Sequence, residues 1–332
     1  MRSVSVCSTI VVTGVLLLFN LSCKKNSAGP AQPDVFVAGS AVSRAVYWQN
    51  GKIHYLTDTT IGQWSYAGHI GFSGSDMYMA GTMATSPNFN MTAVYWKNGV
   101  MTRLPSTMQS QAGYILLSGN DVYVSGDVFS YDAEFGFAAY WKNGNVTVLS
   151  QDTSGAAGMF MNGSDLYIAG SERIKGVSYP TIWKNGIAMH LAHDTGGAAV
   201  SIAFSGTDMY VAGVLQINNR QTGVYWKNGT PTTLGPVISV NSLDVWNGDV
   251  YVSGWRYTDS IYNDGGVYWK NGSPMQLPNS TLVNAMCISG GNVYLAGDLE
   301  QKGGSSHAAY WKNGQPTDLN PDGHAYDIEV RP

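Results

Sequence analysis

The sequence contains few charged residues and few cysteines, and each shortage excludes a class of protein. Charged side chains make up 12% of the 332 residues and the formal net charge is −4, so the chain lacks the basic field with which nucleic-acid-binding proteins attract phosphates. Of its three cysteines, Cys7, Cys23 and Cys287, only Cys287 falls in the part predicted to fold. Because a single cysteine forms no intrachain disulfide, the fold must be stabilised by its own core.

The sequence also lacks the short motifs of several catalytic sites. It has no Gly-x-Ser-x-Gly elbow, no phosphate-binding loop, no His-Glu-x-x-His, no EF-hand loop and no Ser-x-Asp-x-Gly-x-x-Trp box. His190 and His193 are the only clustered histidines, and residues three apart on a strand point to opposite faces, so the two could converge only if the strand ended between them. We therefore expect no metal site and no cofactor, and the favoured interpretation is a protein that is not an enzyme.

Glycine and aromatic residues are abundant instead. The chain has 40 Gly, 20 Tyr and 10 Trp. This composition is too aromatic for a disordered chain and too poor in Lys, Glu and Leu for a helical one. Together with Val and Thr, these residues predict many short strands joined by tight turns.

Two phrases recur seven times along the chain. The first, Tyr-Trp-Lys-Asn-Gly with small changes, has its tryptophan at Trp48, Trp96, Trp141, Trp183, Trp226, Trp269 and Trp311. The second leads from an Asp or Asn through an aromatic residue to a Gly, and it begins at Asp34, Asp76, Asp121, Asp165, Asp208, Asp249 and Asn292. The tryptophans recur at intervals of about 44 residues, a period typical of propeller blades.

Each unit is predicted to contain four strands. In the fifth unit, an apolar run over residues 199–204 is followed by a turn and a second strand over 209–212. A variable loop is expected over 213–222, then a third strand over 223–226 and, after an Asn-Gly turn that favours a primed hairpin, a fourth over 232–234. Seven such units predict an all-β fold, a seven-bladed β-propeller of four-stranded antiparallel blades.

The two ends of the repeat region predict how the ring closes. The repeats begin at a second strand, residues 34–39, and finish at a first strand, residues 326–330. We therefore expect the C-terminal strand to join the N-terminal blade, which removes two open sheet edges. Residues 34–332 are then a single domain.

The N-terminal segment is predicted to direct export. An apolar stretch from Ile10 to Phe19 is too short to span a membrane and suits a signal peptide over residues 1–22. The sequence Ser22-Cys23-Lys24-Lys25 resembles the end of a lipobox in Bacteroidota lipoproteins, and this resemblance implies that Cys23 is lipidated. Residues 23–33 then form the lipidated end and a flexible tether. The alternative is an ordinary secretion signal that is cut elsewhere.

The repeat as a whole resembles kelch-like propellers, and more closely bacterial lipoproteins that carry Tyr-Trp-Lys-Asn-Gly repeats. The resemblance extends over residues 34–330. It departs from kelch because one Gly, not a pair, ends the second strand and because the Trp lies on the third strand. The resemblance therefore implies the fold and no functional residue.

The repeated Trp and Lys residues have two interpretations. A large aromatic residue found in every unit at one strand position is expected to fill the space between blades. The lysines of the turns are expected to keep one rim soluble; they are Lys97, Lys142, Lys184, Lys227, Lys270 and Lys312. The alternative is a ring of ligand-binding residues with sevenfold repetition.

The two rims of the predicted ring differ. The constant rim carries short turns of nearly identical sequence, whereas the variable rim carries the loops between second and third strands and the loops between blades. Function usually resides on loops held by a rigid scaffold, so we expect a ligand to bind at the variable rim. Two of the candidates, Trp64 and Tyr66, are expected in the loop that leads into the second blade. The full set is Trp64, Tyr66, Tyr131, Asp132, Glu134, Trp255, Arg256, Tyr257, Asp259 and Tyr262.

Three functions remain open. Aromatic faces beside carboxylates suit a groove for a glycan or a protein, so the first is a non-catalytic binding module. The second is an enzyme that acts on an extracellular polymer through carboxylate pairs such as Asp132 with Glu134 or Asp259 with Asp264. The third is a structural envelope module in which the aromatic residues pack the loops. In each case we expect a monomer at the outer membrane, on its periplasmic or surface face, that touches the membrane through its lipid alone.

Overall fold

The described part of the chain consists of β-strands and the turns that connect them. The structure, a computed structural model, describes residues 32–56, 63–85, 90–130, 136–257, 265–278, 280–300, 306–319 and 323–332. Across these ranges 28 strands form seven sheets of four strands each. None of the described residues belongs to a helix long and apolar enough to cross a membrane.

The strands are numbered in chain order. The first fourteen are β1 (Asp34–Ala41), β2 (Arg44–Gln49), β3 (Lys52–Tyr55), β4 (Gln63–Ser73), β5 (Asp76–Thr85), β6 (Asn90–Lys97), β7 (Val100–Arg103), β8 (Gln109–Ser118), β9 (Asp121–Phe129), β10 (Gly136–Lys142), β11 (Asn145–Val148), β12 (Ser154–Asn162), β13 (Asp165–Ile174) and β14 (Val177–Lys184). The others are β15 (Ile187–His190), β16 (Gly197–Ser205), β17 (Asp208–Ile217), β18 (Arg220–Lys227), β19 (Thr230–Pro236), β20 (Ser239–Trp246), β21 (Asp249–Arg256), β22 (Gly265–Lys270), β23 (Ser273–Gln276), β24 (Ser280–Ser289), β25 (Asn292–Glu300), β26 (Ser306–Lys312), β27 (Gln315–Asp318) and β28 (Gly323–Arg331).

Each sheet is one blade, and its strands follow one another from the centre of the ring outward. Blade two, for example, has the order β4-β5-β6-β7, and its neighbouring strands are antiparallel. Blade one has the order β28-β1-β2-β3, in which β28 pairs with β1 from Asp34↔Arg331 to Ala41↔Gly323. The predicted seven-bladed propeller and its closure by the C-terminal strand are therefore confirmed.

A tryptophan fills the space between each pair of neighbouring blades. The seven repeated tryptophans expose at most 1% of their surface. Trp96 of blade two packs with Phe36, Ala38 and Ala45 of blade one, and each other repeated tryptophan lies in its own cluster with residues of the preceding blade. Full burial of such a side chain stabilises the fold by about 2–3 kcal/mol. The predicted packing role of these tryptophans is confirmed.

The repeated glycine at the end of the second phrase makes room for this packing. Opposite this glycine every inner strand carries a β-bulge, which brings its backbone close to the second strand. A Cβ at Gly81 would collide with the backbone carbonyl of Tyr66 and would lie 3.0 Å from the ring of Trp96. The blade therefore requires glycine at this position.

Side chains from the two repeated phrases bind one another at the constant rim. In blade two, Asp76 accepts a hydrogen bond from Asn98 Nδ2 at 2.8 Å and pairs with Lys97 Nζ at 2.8 Å, while Asn98 Oδ1 accepts the N–H of Met77. Lys97 Nζ also lies 5.2 Å from the centroid of the Tyr78 ring. We call this arrangement the rim clasp, and it recurs in blades three to six.

The rim clasp of blade one differs in two residues that match each other. Gln49 replaces the lysine and Phe36 replaces the tyrosine, while Asn50 still donates to Asp34 at 2.6 Å. In blades two to six the lysine lies over the tyrosine ring. Blade one lacks both partners of this contact together. The repeated lysines therefore do more than keep the turns soluble, because those of blades two to six hold an aspartate and cover a tyrosine.

Two expectations about loops are wrong. Residues 213–222 form a hairpin and not a loop, because β17 and β18 continue to a two-residue turn at Asn218 and Asn219, which both have positive φ. Asparagine tolerates this conformation, so an Asn-Asn pair permits a primed hairpin turn. Trp64 and Tyr66 lie within β4, the inner strand of blade two, and not in a loop before it.

We predict that Gly126→Ala lowers the free energy of unfolding by about 2–3 kcal/mol, because the added methyl group overpacks the contact between β8 and β9. A Cβ at Gly126 would overlap the carbonyl of Gln111 and lie 2.9 Å from the Cα of Ala112. Gly113→Ala in the same blade is the matched control, since a Cβ there meets no atom within 4 Å. Urea unfolding followed by tryptophan fluorescence measures both, and an equal loss in the two variants would contradict the role given to the repeated glycine.

Candidate functional site

The seven inner strands enclose a central channel that contains a cavity of about 490 Å³. The β-bulge of each inner strand places its extra residue on the channel wall. These residues are Gly68, Gly113, Val200, Asn241, Asn284 and Tyr326, with Ala157 and Gly158 in blade four. Because each inner strand begins at the variable rim, its first residues form the opening of the channel on that rim, which we call the channel mouth.

Four rings from blades one and two touch in series at the channel mouth. The ring centroids of Trp64 and Tyr66 are 5.3 Å apart, those of Tyr66 and Tyr326 5.5 Å, and those of Tyr326 and His324 6.1 Å. Trp64 has 36% of its surface exposed and His324 is also exposed, while the two tyrosines are half-buried. The series therefore presents apolar ring faces at an opening that solvent reaches.

Directed polar groups surround these rings. His324 Nδ1 lies 2.7 Å from Asp298 Oδ2, and the Tyr66 hydroxyl accepts a hydrogen bond from Thr82 Oγ1 at 3.3 Å. The Tyr326 hydroxyl accepts one from a serine of β1 at 3.5 Å. Burial raises the pKa of Tyr66, Tyr326 and Asp298. Both phenol groups are therefore protonated at neutral pH, and each keeps an O–H to donate.

Three carboxyl groups lie deeper in the channel, those of Asp244, Asp327 and Glu329. Asp327 Oδ2 accepts the N–H of Ile70 in blade two at 2.8 Å, and Asp244 Oδ2 accepts the N–H of Ile288 in blade seven at 2.9 Å. Each of these bonds joins an inner strand to that of the next blade. Burial raises the pKa of Asp327 to about 8 and that of Glu329 to about 7, and it also raises the pKa of Asp244.

His69 and Tyr114 stack beside these carboxyl groups, with ring centroids 3.6 Å apart. Burial lowers the pKa of His69 to about 3, so its imidazole is neutral. His69 Nε2 lies 3.5 Å from Asp327 Oδ2, and because Asp327 is protonated at neutral pH this is a contact between neutral groups. Burial also raises the pKa of the Cys287 thiol, which agrees with the expectation that Cys287 is not an activated nucleophile.

A second cavity, of about 670 Å³, opens on the variable rim between blades five and six. It is lined by residues 219–221 around the start of β18, by Gly235 and Pro236 at the end of β19, and by Arg256 and Tyr257 at the end of β21. The strand β19 has seven residues, whereas the outer strands of the other blades have four. This longer outer strand carries the chain back to the rim, where it forms one wall of the cavity. We call this cavity the rim pocket.

The structure divides the predicted site residues into separate groups. Trp64 and Tyr66 lie at the channel mouth, while Arg256 and Tyr257 line the rim pocket. Trp255 lies in β21 with its indole nitrogen buried, so this atom is not presented at the rim. The remaining candidates fall outside the described residues; they are Tyr131, Asp132, Glu134, Asp259, Tyr262 and the lipidation site Cys23.

The sequence-based candidates did not include His324, Tyr326 or the three channel carboxyl groups. One feature of the sequence could have identified Asp327 and Glu329, which alternate with apolar residues on an inner strand. Asp244 likewise stands between Leu243 and Val245. Asp244 and Glu329 share one position of the repeat, and a charged residue there indicates a polar channel wall. The other units fill this position with apolar or small residues, Gly71, Leu116, Phe160, Ala203 and Cys287.

The described residues offer no metal site, because within them no three His, Cys, Asp or Glu side chains gather in a group that could hold an ion. His190 instead bonds to Glu172, with 2.9 Å between Nε2 and Oε2. Its ring centroid is 6.2 Å from that of His193.

No protein-family model matches the chain, and no curated protein matches it in sequence. Among solved structures it is similar to the acylaminoacyl peptidase of Pyrococcus horikoshii, with 12% identity and a TM-score of 0.46 over 78% of this chain and 46% of the peptidase. It is also similar to a chain of the nidogen/laminin complex, with 9% identity and a TM-score of 0.43 over 70% of this chain and 91% of that one. It is also similar to a thermostable family-43 glycoside hydrolase, with 11% identity and a TM-score of 0.38 over 67% of this chain and 96% of the hydrolase. This chain spans less than half of the peptidase, and no family follows from these values.

We predict that the protein becomes more stable as the pH falls from about 8 to about 5. Folding raises the pKa of Asp327 from 3.8 to about 8, so the folded state binds this proton more tightly than the unfolded state. The resulting stabilisation is complete below about pH 4 and is lost as the pH rises through about 8. The thermal midpoint, followed by circular dichroism, is expected to rise by several degrees over this interval.

Asp327→Asn is expected to reduce this pH dependence, because an asparagine oxygen still accepts the N–H of Ile70 but binds no titrating proton. The raised pKa of Glu329 adds to the dependence below about pH 7, and the lowered pKa of His69 opposes it below its ordinary value of 6.5, so a smaller dependence remains in the variant. Asp152→Asn replaces an exposed carboxylate and is expected to leave the pH dependence unchanged. If the thermal midpoint changes with pH by the same amount in the Asp327→Asn variant and in the parent protein, Asp327 is not the source of the pH dependence.

Proposed function

We propose that this chain is a lipid-anchored, non-catalytic binding module that holds a glycan at the channel mouth. The observation that carries the proposal is the series of rings from Trp64 to His324, which is exposed at its ends and surrounded by hydroxyl and carboxyl groups. A sugar lays its apolar C–H face on an aromatic ring and directs its hydroxyl groups to fixed hydrogen-bonding partners. The channel mouth supplies both kinds of contact.

The shape of the site favours a glycan over a protein partner. A stable protein–protein interface buries about 800 Å² on each partner over a broad surface. The cavity in the channel, which Tyr326 lines, has a volume of about 490 Å³ and falls instead in the range of small-molecule sites. A cavity of this volume has room for a terminal sugar unit.

The channel carboxyl groups favour a second candidate function, the hydrolysis of a polymer end. Most glycosidases use one protonated and one ionised carboxyl group. Asp327 and Glu329 have raised pKa values and line one cavity. We place hydrolysis second because Asp244 and Asp327 each accept a backbone N–H of the next blade, which gives these carboxyl groups a structural role.

We also propose that Cys23 carries a lipid that holds the monomeric propeller at the outer membrane. The support for this proposal is the resemblance of residues 22–25 to the end of a lipobox. The polar segment over residues 24–33 would serve as the tether between the lipid and the first strand of the propeller.

Trp64→Ala and Tyr326→Ala are expected to weaken binding of a glycan by roughly tenfold or more, because each removes a ring on which the sugar stacks. A glycan array identifies the ligand, and calorimetry then measures its affinity for each variant. Trp246→Ala is the matched control, since Trp246 is 37% exposed, against 36% for Trp64, but lies at the constant-rim end of β20.

The same experiment separates the two candidate functions. Mass spectrometry of the glycan after incubation would show an intact ligand for a binding module and shorter products for a hydrolase. An array without a hit, or an equal loss of affinity with Trp246→Ala, would contradict a glycan site at the channel mouth.

Cys23→Ala is expected to abolish incorporation of a palmitate analogue with an alkyne label during expression in a bacterium, because it removes the thiol that is lipidated. Cys7→Ala is the control and is expected to have no effect on labelling of the mature protein. If the Cys23→Ala variant still carries the label, Cys23 is not the site of lipidation.

A further inference from the structure

The two arginines of the rim pocket come from neighbouring blades and are held in place by one segment of backbone. Arg220 begins β18 of blade five and Arg256 ends β21 of blade six. Between them, the N–H of Ile238 donates to the carbonyl of Trp255 at 2.8 Å, and the side chain of Gln221 donates to the carbonyl of Ile238. The residues next to both arginines are therefore linked through Ile238, and both arginines line one cavity.

Neither arginine of the rim pocket forms an ion pair within the described part of the chain. Two other arginines lie over aromatic rings, Arg44 over Tyr55 and Arg331 over Phe72. In Arg256, by contrast, the Nε atom is buried and has no hydrogen-bond acceptor among the described residues. A buried donor without an acceptor is costly, and an anion with oxygen acceptors would satisfy it.

We propose that the rim pocket binds the anionic group of an acidic carbohydrate, either the carboxylate of a uronate or a sulfate ester. Guanidinium groups bind both anions through paired N–H donors, which a lysine could not supply in the same geometry. Tyr257, which is 56% exposed, and Pro236 add apolar surface for the sugar ring. Two arginines that form no ion pair with any described residue give the pocket a positive charge, which favours an anionic ligand.

The volume and place of the rim pocket make it a site separate from the channel mouth. Its volume of about 670 Å³ accommodates a short oligosaccharide. It lies between blades five and six, whereas the rings of the channel mouth come from blades one and two. Substitutions at one site therefore leave the other intact, and the two can be tested independently.

Calorimetry of the purified full chain with three probes tests the proposal. The probes are trigalacturonate, galactose 6-sulfate and the neutral control galactotriose, each titrated at about 50 mM and again at about 300 mM NaCl. We expect at least one acidic probe to bind and its affinity to fall several-fold at the higher salt. Binding of trigalacturonate identifies a uronate ligand, and binding of the sulfated sugar identifies a sulfate ligand.

Two variants and two controls assign the binding to the rim pocket. Arg220→Gln and Arg256→Gln are each expected to lower the affinity for the acidic probe by roughly tenfold or more, because each removes one charged pair of N–H donors. Arg103→Gln, at an exposed arginine of β7, and Trp64→Ala, at the channel mouth, are expected to leave this affinity unchanged. The Arg220 side chain is exposed, so its substitution preserves the fold, which an unchanged thermal midpoint confirms.

The proposal is overturned if neither acidic probe binds, or if galactotriose binds the Trp64→Ala variant, which lacks a ring of the channel mouth, as tightly as the acidic probes do. It is also overturned if Arg103→Gln lowers the affinity for the acidic probe as much as Arg220→Gln does. If the Trp64→Ala variant no longer binds the acidic probe, the probe binds at the channel mouth and the rim pocket is excluded as its site.

Discussion

The burial of one indole between each pair of blades is the interaction on which the rest of the structure depends. Trp96 fills its interface because Gly81 has no Cβ, and the same missing Cβ admits the bulged inner strand. The bulges then turn residues such as Asn241 and Asn284 toward the next blade, where each donates to a backbone carbonyl. The shape of the channel is thus a result of how the blades pack, repeated around the ring.

The two rims use their polar groups in opposite ways. At the constant rim, the charged residues of the repeat pair with each other, as Asp76 and Lys97 do, and they link neighbouring turns of one blade. At the variable rim, Trp64 is exposed and Arg256 keeps a buried donor that no described residue satisfies. Natural proteins depart from full internal satisfaction of polar groups mainly at functional sites, and this difference between the rims is one reason why the proposed sites are placed at the variable rim.

The repeat made the fold predictable, whereas the candidate site depends on contacts that no repeat encodes. Blade number, strand order, the Asn-Gly turns and the burial of Trp48 and its counterparts follow from local pattern alone. Tyr66 and Tyr326 meet only because the ring closes, and neither residue lies in a loop whose variability would mark it. The carboxyl groups of the channel were missed for a related reason, since the position of a bulge decides whether a strand residue faces the core or the channel.

The pairing of β28 with β1 makes the channel mouth depend on the completion of folding. It brings together residues such as Ser40 and Tyr326, which are 286 positions apart, and the closure of so long a loop costs entropy that local contacts do not repay. Blades two to seven each assemble from consecutive residues, whereas blade one stays a three-stranded sheet with an open edge until β28 arrives. Since the rings of the channel mouth come from β4 and β28, an unclosed chain has no such site. The arrangement of rings proposed to bind a glycan therefore forms only in a molecule whose propeller has closed.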